Sequence, residues 1–294
     1  MKFSAEVILL LVCSFGYVIA NDASNILSIY DADTNVTVDT VAHIPKMYED
    51  WKTVGPVYNA QLAATDYQHT RHHAQLKEDL YMWTNHFYGM EKGIILESGA
   101  LNGVLFSTSW FYEEFASWSA IHIEADPSNY DHLIQYRPKS LNINSAICEK
   151  SKVVHWTNDL EENGQQAVNG VFETMPDDVI DQWHWALKGA SLNSNLLLPL
   201  PCSTVTSLLD HLGVARIDIW VLDLMGGELA ALRGMDFEKI KVSIIVVSSP
   251  GTDRKDDDEK LELLKNANYA CTKLDNMNHI CVAEGFKSSG VPLW

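Results

Sequence analysis

From residue 93 onward, short apolar runs alternate with longer stretches in which apolar residues recur at helical spacing. The apolar runs predict seven strands, at residues 94–96, 120–123, 141–147, 217–222, 243–247, 269–272 and 279–282. The stretches between them predict helices, at residues 105–115, 128–136, 203–211 and 256–266. Such alternation is typical of a mostly parallel sheet with helices on both faces. Because no helix separates the last two strands, we expect them to be antiparallel.

The first 20 residues have the layout of a secretory signal peptide. Lys2 is positively charged, residues 7–19 are apolar, and a polar stretch begins at Asn21. The apolar run is shorter than the ~20 residues of a membrane helix, and no other stretch approaches a membrane span. We therefore expect cleavage after Ala20 and a protein of the secretory lumen or the cell exterior; an uncleaved anchor is the alternative.

The rest of the chain is divided by its pattern into three parts. Residues 21–57 are polar and are interpreted as an irregular leader. Residues 58–90 mix aromatic and polar positions at roughly helical spacing, which predicts one or two covering helices. Residues 91–294 are assigned to the α/β domain, with an insertion at about residues 149–200 where the pattern is less regular.

Composition and charge exclude one class of partner. Of 294 residues, 47% are hydrophobic and 20% charged, which is typical of a globular protein. The 39 acidic residues outnumber the 21 Lys and Arg and give a net charge of −18. A nucleic-acid partner is not expected, because phosphate backbones are bound by clustered basic residues.

Four cysteines follow the predicted signal, an even number that fits an oxidising compartment. We favour a pair of Cys271 and Cys281, which lie in strand-like runs on either side of a polar turn. Cys148 and Cys202 would then bridge the two ends of the insertion; four buried free thiols are the alternative. Asn35, followed by Val and Thr, begins the one acceptor triplet for N-glycosylation.

The most informative stretch is residues 94–103, where an apolar strand enters a turn that contains Gly99 and Gly103. The first such turn of a doubly wound sheet commonly binds ligands through the helix that follows it. The G-x-G-x-x-G spacing of dinucleotide sites is absent, and Glu97 would repel a pyrophosphate, so an NAD-dependent oxidoreductase is not expected. Glu124 ends the next strand, where an acid can accept both hydroxyls of a ribose. A plain tight turn and a solvated carboxylate are the alternatives.

Five motifs in order resemble the FkbM-type branch of the S-adenosylmethionine-dependent methyltransferases, over about residues 90–285. They lie at residues 97–107, 123–127, 137–138, 146–148 and 217–228. The last resembles the strand-four signature of that family. The resemblance implies a doubly wound, mostly parallel seven-stranded sheet of order 3-2-1-4-5-7-6, with strand seven antiparallel.

The resemblance also implies roles for individual residues. S-adenosylmethionine would be the cofactor, and its methyl group would pass in line to the oxygen of a small-molecule or glycan-like acceptor. Four residues match the cofactor-binding positions: Glu97, Gly99, Gly103 and Glu124. Asp223, at the end of strand four, and Glu228, the last acid of the signature, match the catalytic positions.

The sequence departs from the family pattern at two acids. Met225 stands where the family has an acid two residues after Asp223, and Ser248 stands near the usual acid of strand five. Methionine cannot accept a proton as a carboxylate does. The alternative function is therefore a secreted, non-catalytic binding or structural protein that keeps the fold.

Two further clusters carry less information. His69, His72 and His73 share a helical face, but no nearby Cys or acid completes a ligand set, so we expect a solvated face and no metal. The aromatic residues Trp183 and Trp185 could line an acceptor site for a sugar, although core packing is the simpler interpretation.

Overall fold

The computed structural model describes residues 24–45, 55–64, 72–158, 166–249 and 254–290. The predicted signal peptide at residues 1–20 and His69 lie outside the described residues. None of the helices in these ranges combines the length and the apolar composition needed to cross a bilayer.

The strands of the described chain, numbered in order, are β1 (Ser24–Asp31), β2 (Val36–His43), β3 (Val57–Tyr58), β4 (Met90–Glu91), β5 (Ile94–Ser98), β6 (Ser119–Glu124), β7 (Leu141–Asn144), β8 (Ala146–Ile147), β9 (Lys152–Thr157), β10 (Leu197–Ser203), β11 (Arg216–Leu222), β12 (Lys241–Ser248), β13 (Tyr269–Lys273) and β14 (Asn278–Ala283).

The helices are α1 (Ala60–Ala63), α2 (Glu78–Asn85), α3 (Ser109–Ala116), α4 (Pro127–Tyr136), α5 (Asp177–Trp183), α6 (Val205–His211), α7 (Glu228–Arg233) and α8 (Arg254–Asn266). Short 3₁₀ turns occupy Gln166–Val168 and Trp185–Leu187.

The main sheet has nine strands, in the order β1-β2-β7-β6-β5-β11-β12-β14-β13. From β7 to β12 the neighbours are parallel, and β14 is antiparallel to both β12 and β13. The α/β class and the antiparallel last pair are therefore confirmed. The prediction of a seven-stranded sheet was wrong, because two further strands extend the edge formed by β7. The other seven strands, in the spatial order β7-β6-β5-β11-β12-β14-β13, have the 3-2-1-4-5-7-6 order that the resemblance implied.

The two additional strands form a hairpin in the segment that was interpreted as an irregular leader. β1 and β2 pair along their full length, and β2 continues the sheet next to β7. Alternate residues face the core, so that Leu27, Ile29, Val38 and Ala42 are buried. Irregular chain was the wrong expectation, because this period-two burial stabilises a strand pair even where the outward positions are polar.

The sheet is buried on both faces, as its continuous apolar strands predict. In β5, Ile94 and Leu96 pack into the larger hydrophobic cluster on one face, whereas Ile95 packs into the aromatic cluster on the other. Trp83, on α2, lies at the centre of that aromatic cluster and is fully buried. Helix α2 thus covers one face of the sheet beside the carboxyl end of β5.

Local hydrogen bonds determine where the helices begin. The Asp126 carboxylate accepts the backbone N–H groups of Ser128 and Asn129, at 2.9 and 3.0 Å, and so caps α4. The helix predicted from residue 105 begins instead at Ser109. The cause is Asn102, whose side chain accepts the N–H of Leu105 at 2.9 Å and so favours a turn there.

A second, three-stranded sheet of order β8-β10-β9 covers the carboxyl ends of the main strands. The run at residues 141–147, predicted as one strand, is divided between the two sheets, because β8 pairs with β10. We call residues 146–203 the cap. Cys148 is bonded to Cys202 within the cap, and Cys271 is bonded to Cys281 across the β13–β14 pair. Both favoured pairings are confirmed, and they are compatible with an oxidising compartment.

We predict that replacing Cys148 and Cys202 together by Ser lowers the free energy of unfolding by about 4 kcal/mol, because the bond closes a loop of 54 residues in the unfolded chain. Urea denaturation without reductant measures this loss. Thiol titration of the denatured, non-reduced wild type is the control. Four reactive thiols from residues beyond the predicted signal would contradict the pairing.

Candidate functional site

A cavity of about 500 Å³ lies between the cap and the carboxyl ends of β5, β6, β11 and β12. Glu97, Glu124, Asp223 and Glu228 all line it, together with Gly99. Five of the six predicted site residues, from distant parts of the sequence, are thus brought to one cavity. The arrangement follows from the parallel sheet, in which successive strands end at the same edge.

Gly99 is required by the close approach of two strand ends. Its φ is +82°, and a Cβ atom built on it would lie 1.9 Å from the carbonyl oxygen of Asp223. Any side chain would therefore push the loop after β5 away from the loop after β11. The glycine allows both loops to form the floor of the cavity.

Gly103 does not line the cavity, unlike the other predicted site residues. A Cβ atom on it would lie 2.5 Å from Leu133 Cδ1 and 2.7 Å from Arg137 Cγ, both at the end of α4. Its carbonyl oxygen accepts an N–H of Arg137 at 2.8 Å. The second glycine of the motif therefore allows the loop to pack on α4.

Glu97 anchors the chain that follows the glycine turn. Its Oε1 accepts the backbone N–H of Thr108 at 2.7 Å, and its Oε2 accepts the hydroxyls of Ser107 and Ser109 at 2.9 and 2.6 Å. The side chain is 4% exposed, so these donors replace water for the buried carboxylate. The carboxylate thereby fixes the start of α3 at the cavity wall.

A buried polar network supports Glu97 from behind. The Ser109 hydroxyl lies 2.8 Å from His122 Nε2, and His122 Nδ1 lies 2.7 Å from Asn142 Oδ1. Burial, and secondarily the charge of Arg137, lower the pKa of His122 well below its ordinary value. His122 is therefore neutral at physiological pH, and its hydrogen bonds position Ser109 behind Glu97.

Glu124 fastens the glycine loop to β6. Its two oxygens accept the backbone N–H groups of Leu101 and Asp126, at 2.7 and 2.8 Å. Burial raises the pKa of Glu124 to about 8, although these N–H donors favour the ionised form. The carboxyl group consequently carries a proton through much of the neutral range, until a ligand supplies further donors.

Asp223 is the predicted site carboxylate with the most open environment. It is exposed to the cavity, and Ser248 beside it favours its ionised form. Desolvation by the protein around the cavity, and secondarily the negative charge of Glu228, raise the pKa of Asp223 to about 6. The group is thus mostly ionised at neutral pH and free to interact with a ligand.

Glu228 was predicted as a catalytic residue, and in the structure its carboxylate accepts backbone N–H groups of the loop after β11. It is 2% exposed, and its Oε1 accepts the backbone N–H of Leu224 at 2.7 Å and that of Gly226 at 3.3 Å. Lys260 Nζ, also buried, lies 4.0 Å from Glu228 Oε2 and donates to the Ser248 carbonyl at 3.0 Å. Glu228 and Lys260 therefore join the loop after β11 to the end of β12.

Met225 also lines the cavity, in the left-handed region at a φ of 52°. A Cβ atom built on Gly170 would lie only 3.2 Å from the Cβ of Met225. The cap and the loop after β11 therefore meet at Met225. The thioether occupies a place where the family resemblance implied an acid.

The cap adds aromatic and amide groups to the cavity. Trp156 lines it and donates its indole N–H to Asp126 Oδ2 at 3.2 Å, which fixes the ring. Trp183 also lines it, whereas Trp185 is 74% exposed on the outer surface. The two aromatic residues of that sequence cluster therefore differ in environment, and only Trp183 can touch a cavity ligand.

Several cavity residues were not identified from the sequence, among them Glu78, Trp156 and Asn169. Glu78 begins a helix that was predicted merely to cover the sheet. Trp156 and Asn169 lie in the irregular insertion, where no periodicity indicates which side chains face inward. A polar residue directly before Gly170 is the one local signal for Asn169.

The histidine face contacts the protein itself. His72 lies 3.2 Å from Asp79 and stacks on Phe111, while His73 contacts the carbonyl oxygen of Val104 at 3.1 Å. Within the described ranges, no group of three or more His, Cys, Asp or Glu residues has the arrangement of a metal site.

No protein-family model matches the sequence, and a search of curated proteins finds no match. Among solved structures, the chain aligns with a precorrin-6y C5,15-methyltransferase of Geobacter metallireducens, at 13% identity and a TM-score of 0.31 over 65% of this chain and 78% of that one. It also aligns with a TehB-like SAM-dependent methyltransferase of Corynebacterium glutamicum, at 10% identity and a TM-score of 0.33, over 66% of this chain and 82% of that one. A third alignment is with the fibrillarin pre-rRNA processing protein of Methanococcus jannaschii, at 9% identity and a TM-score of 0.38, over 90% of this chain and 100% of that one. At these identities the site itself has to carry an assignment of function.

Proposed function

We propose that this chain is an S-adenosylmethionine-dependent O-methyltransferase of the FkbM type, which acts on a small or glycan-like hydroxyl compound. One observation carries the proposal. Glu97, Glu124 and Asp223, at the ends of three adjacent parallel strands, line a single cavity of about 500 Å³. That volume lies within the ~300–1,000 Å³ of small-molecule sites.

The residues present fit the nucleoside part of this cofactor. A carboxylate offers about four acceptor sites, and the N–H groups of Leu101 and Asp126 take one on each oxygen of Glu124. The remaining sites suit two ribose hydroxyls. Ala125, Ile147 and Trp156 provide apolar walls beside Glu124 for a flat base.

The chemistry requires few protein groups. The cofactor supplies a methyl group bound to a positively charged sulfur. The protein has to hold the acceptor oxygen in line, exclude water and accept the hydroxyl proton. Asp223 is assigned the last task, because it is the exposed carboxylate of the cavity floor and is ionised at neutral pH. Glu228 is assigned to positioning Asp223's loop.

We further propose that the protein acts in the secretory pathway or outside the cell. The two disulfides and the signal-like first 20 residues support this location. Asn35, exposed in the turn between β1 and β2, is the proposed glycosylation site.

We predict that S-adenosylhomocysteine binds and that its affinity rises as the pH increases toward 8. Ribose hydroxyls can donate to both oxygens of Glu124 only when the carboxyl group has lost its proton, and its pKa is about 8. Isothermal titration at pH 7 in buffers of different ionisation enthalpy should report roughly one proton released per ligand bound.

Glu124→Gln should weaken this binding roughly 10- to 100-fold, the usual effect of losing hydrogen bonds to a charged group, and should abolish the proton release. Glu262→Gln is the matched control, because Glu262 is exposed on α8 away from the cavity. Absence of binding by concentrated, folded wild-type protein would contradict the proposed function.

We predict that Asp223→Asn abolishes methyl transfer and stabilises the protein at pH 7.5. The folded-state pKa of about 6 exceeds the ordinary value of 3.8, so the folded state binds the proton more tightly. Ionised Asp223 therefore lowers stability above about pH 6, and the advantage of Asn disappears as the pH falls toward 4. Urea denaturation at both pH values measures this. Asp258→Asn, at an exposed position of α8, should change neither property.

The second candidate function is a secreted binding protein that does not turn over. The position of Met225 in the cavity wall favours it, because no proton acceptor replaces the expected acid there. In that case the wild type binds S-adenosylhomocysteine without transferring a methyl group, and Met225→Glu gains transfer. Incubation with methyl-labelled cofactor and a panel of hydroxyl compounds distinguishes the two, since turnover by the wild type excludes this candidate.

A further inference from the structure

The ionisable groups that line the cavity are all acids. Six carboxyl-bearing side chains line the cavity, and no Lys, Arg or His is found among the described residues that do so. The six are Glu78, Glu97, Glu124, Asp178, Asp223 and Glu228. A wall without a basic group repels carboxylates, phosphates and sulfates, and it attracts cations.

The six carboxyl groups differ in what they already bind. Glu97, Glu124 and Glu228 each accept at least two backbone N–H or hydroxyl donors, and these bonds fix the loops. Asp178 lies on the cap and is exposed. Asp223 is exposed to the cavity, and Glu78, although it also accepts two donors, begins α2 and lies outside the loops that follow the strands. These two carboxyl groups are therefore assigned to a second ligand.

Glu78 is buried without a cation. It is 6% exposed, and its oxygens accept the backbone N–H of Leu76 at 2.9 Å and the amide of Asn278 at 2.8 Å. No basic side chain pairs with it in the described chain. Glu78 and Asp223 line the same cavity, so the two groups contribute to one acidic region.

An independent feature indicates that a polar ligand belongs here. Asn169 lines the cavity and is 5% exposed, yet neither its amide oxygen nor its amide nitrogen bonds any group in the described chain. Buried amides almost always have partners. Both amide atoms are buried within the wall, so a bound molecule reaches them once the side chain turns inward, and their lack of partners leaves them available for that contact.

The remaining wall suits an organic cation. Phe106 and Trp183 present aromatic surface, and Met225 and Met277 present thioethers. Aromatic faces attract ammonium groups, and polarisable sulfur tolerates ligands of varied shape. A bare metal ion would gain nothing from these groups.

We propose that the methyl acceptor is a cation, namely a hydroxyl compound that carries a protonated amine held by Glu78, with its hydroxyl group at Asp223. The inference rests on the proposed function and narrows its substrate class. A protonated amine has no lone pair, so the hydroxyl oxygen is the nucleophile. The C–O bond forms as the methyl–sulfur bond breaks, the sulfur becomes a neutral thioether, and the hydroxyl proton passes to Asp223.

The test compares three phenols that differ in charge: tyramine, a cation; 4-ethylphenol, neutral; and 3-(4-hydroxyphenyl)propionate, an anion. Dissociation constants are measured by calorimetry at pH 7.5, with the free protein and with the S-adenosylhomocysteine complex. We expect tyramine to bind at least ~10-fold more tightly than the anion, with the neutral compound between them.

Two variants assign the preference to residues. Glu78→Gln and, independently, Asp223→Asn should each reduce the advantage of tyramine over 4-ethylphenol several-fold, whereas the exposed Glu262→Gln should not. Thermal unfolding confirms that each variant is folded. If Glu78→Gln does not fold, Asp223→Asn still tests the charge preference.

Equal binding of cation and anion, or no binding of tyramine at 10 mM, overturns the inference. These outcomes are separable from failure of the proposed function, which S-adenosylhomocysteine binding tests alone. Binding of S-adenosylhomocysteine without a charge preference would reject only the cationic acceptor.

Discussion

Buried carboxylates that accept backbone N–H groups hold this site together. Glu97 and Glu124 lie at the ends of parallel strands, and Glu228 begins the helix that follows β11. Each accepts donors from the loop beside it. Parallel strands bring their carboxyl ends to one edge, where loop N–H groups would otherwise lack partners. The carboxylates supply those partners, and the cavity is the space that the fixed loops enclose.

The same residues explain why the sequence motifs are informative about shape. Gly99 permits contact between two loops, and Gly103 permits packing on α4, so both glycines have a structural cause that holds without any ligand. A motif match of this kind therefore predicts the form of the cavity more directly than the reaction. The departure at Met225 changes what the cavity can do while leaving its form intact.

Much of the central fold could be predicted, because apolar strand runs and a parallel topology place strand-end acids at one edge. The β1–β2 hairpin could not, since Ile26 and Tyr30 are apolar or aromatic but exposed, so the sequence of β1 does not alternate between apolar and polar residues. Asn169 and Trp156 could not be assigned to the cavity either. Their orientation depends on the pairing of β9 with β10 and on the bridge between Trp156 and Val171, which join residues separated in sequence.

The Cys148–Cys202 bond has a consequence for how molecules enter and leave. It joins the chain after β8 to β10, so the two ends of the cap are held together. With both ends tied, the middle of the cap, around α5, is the part that can bend while this bond stays intact. Reduction of this bond would leave only the hydrogen bonds of the β8–β10 pair between the two ends, so the residence time of a bound molecule should depend on the redox state of the compartment.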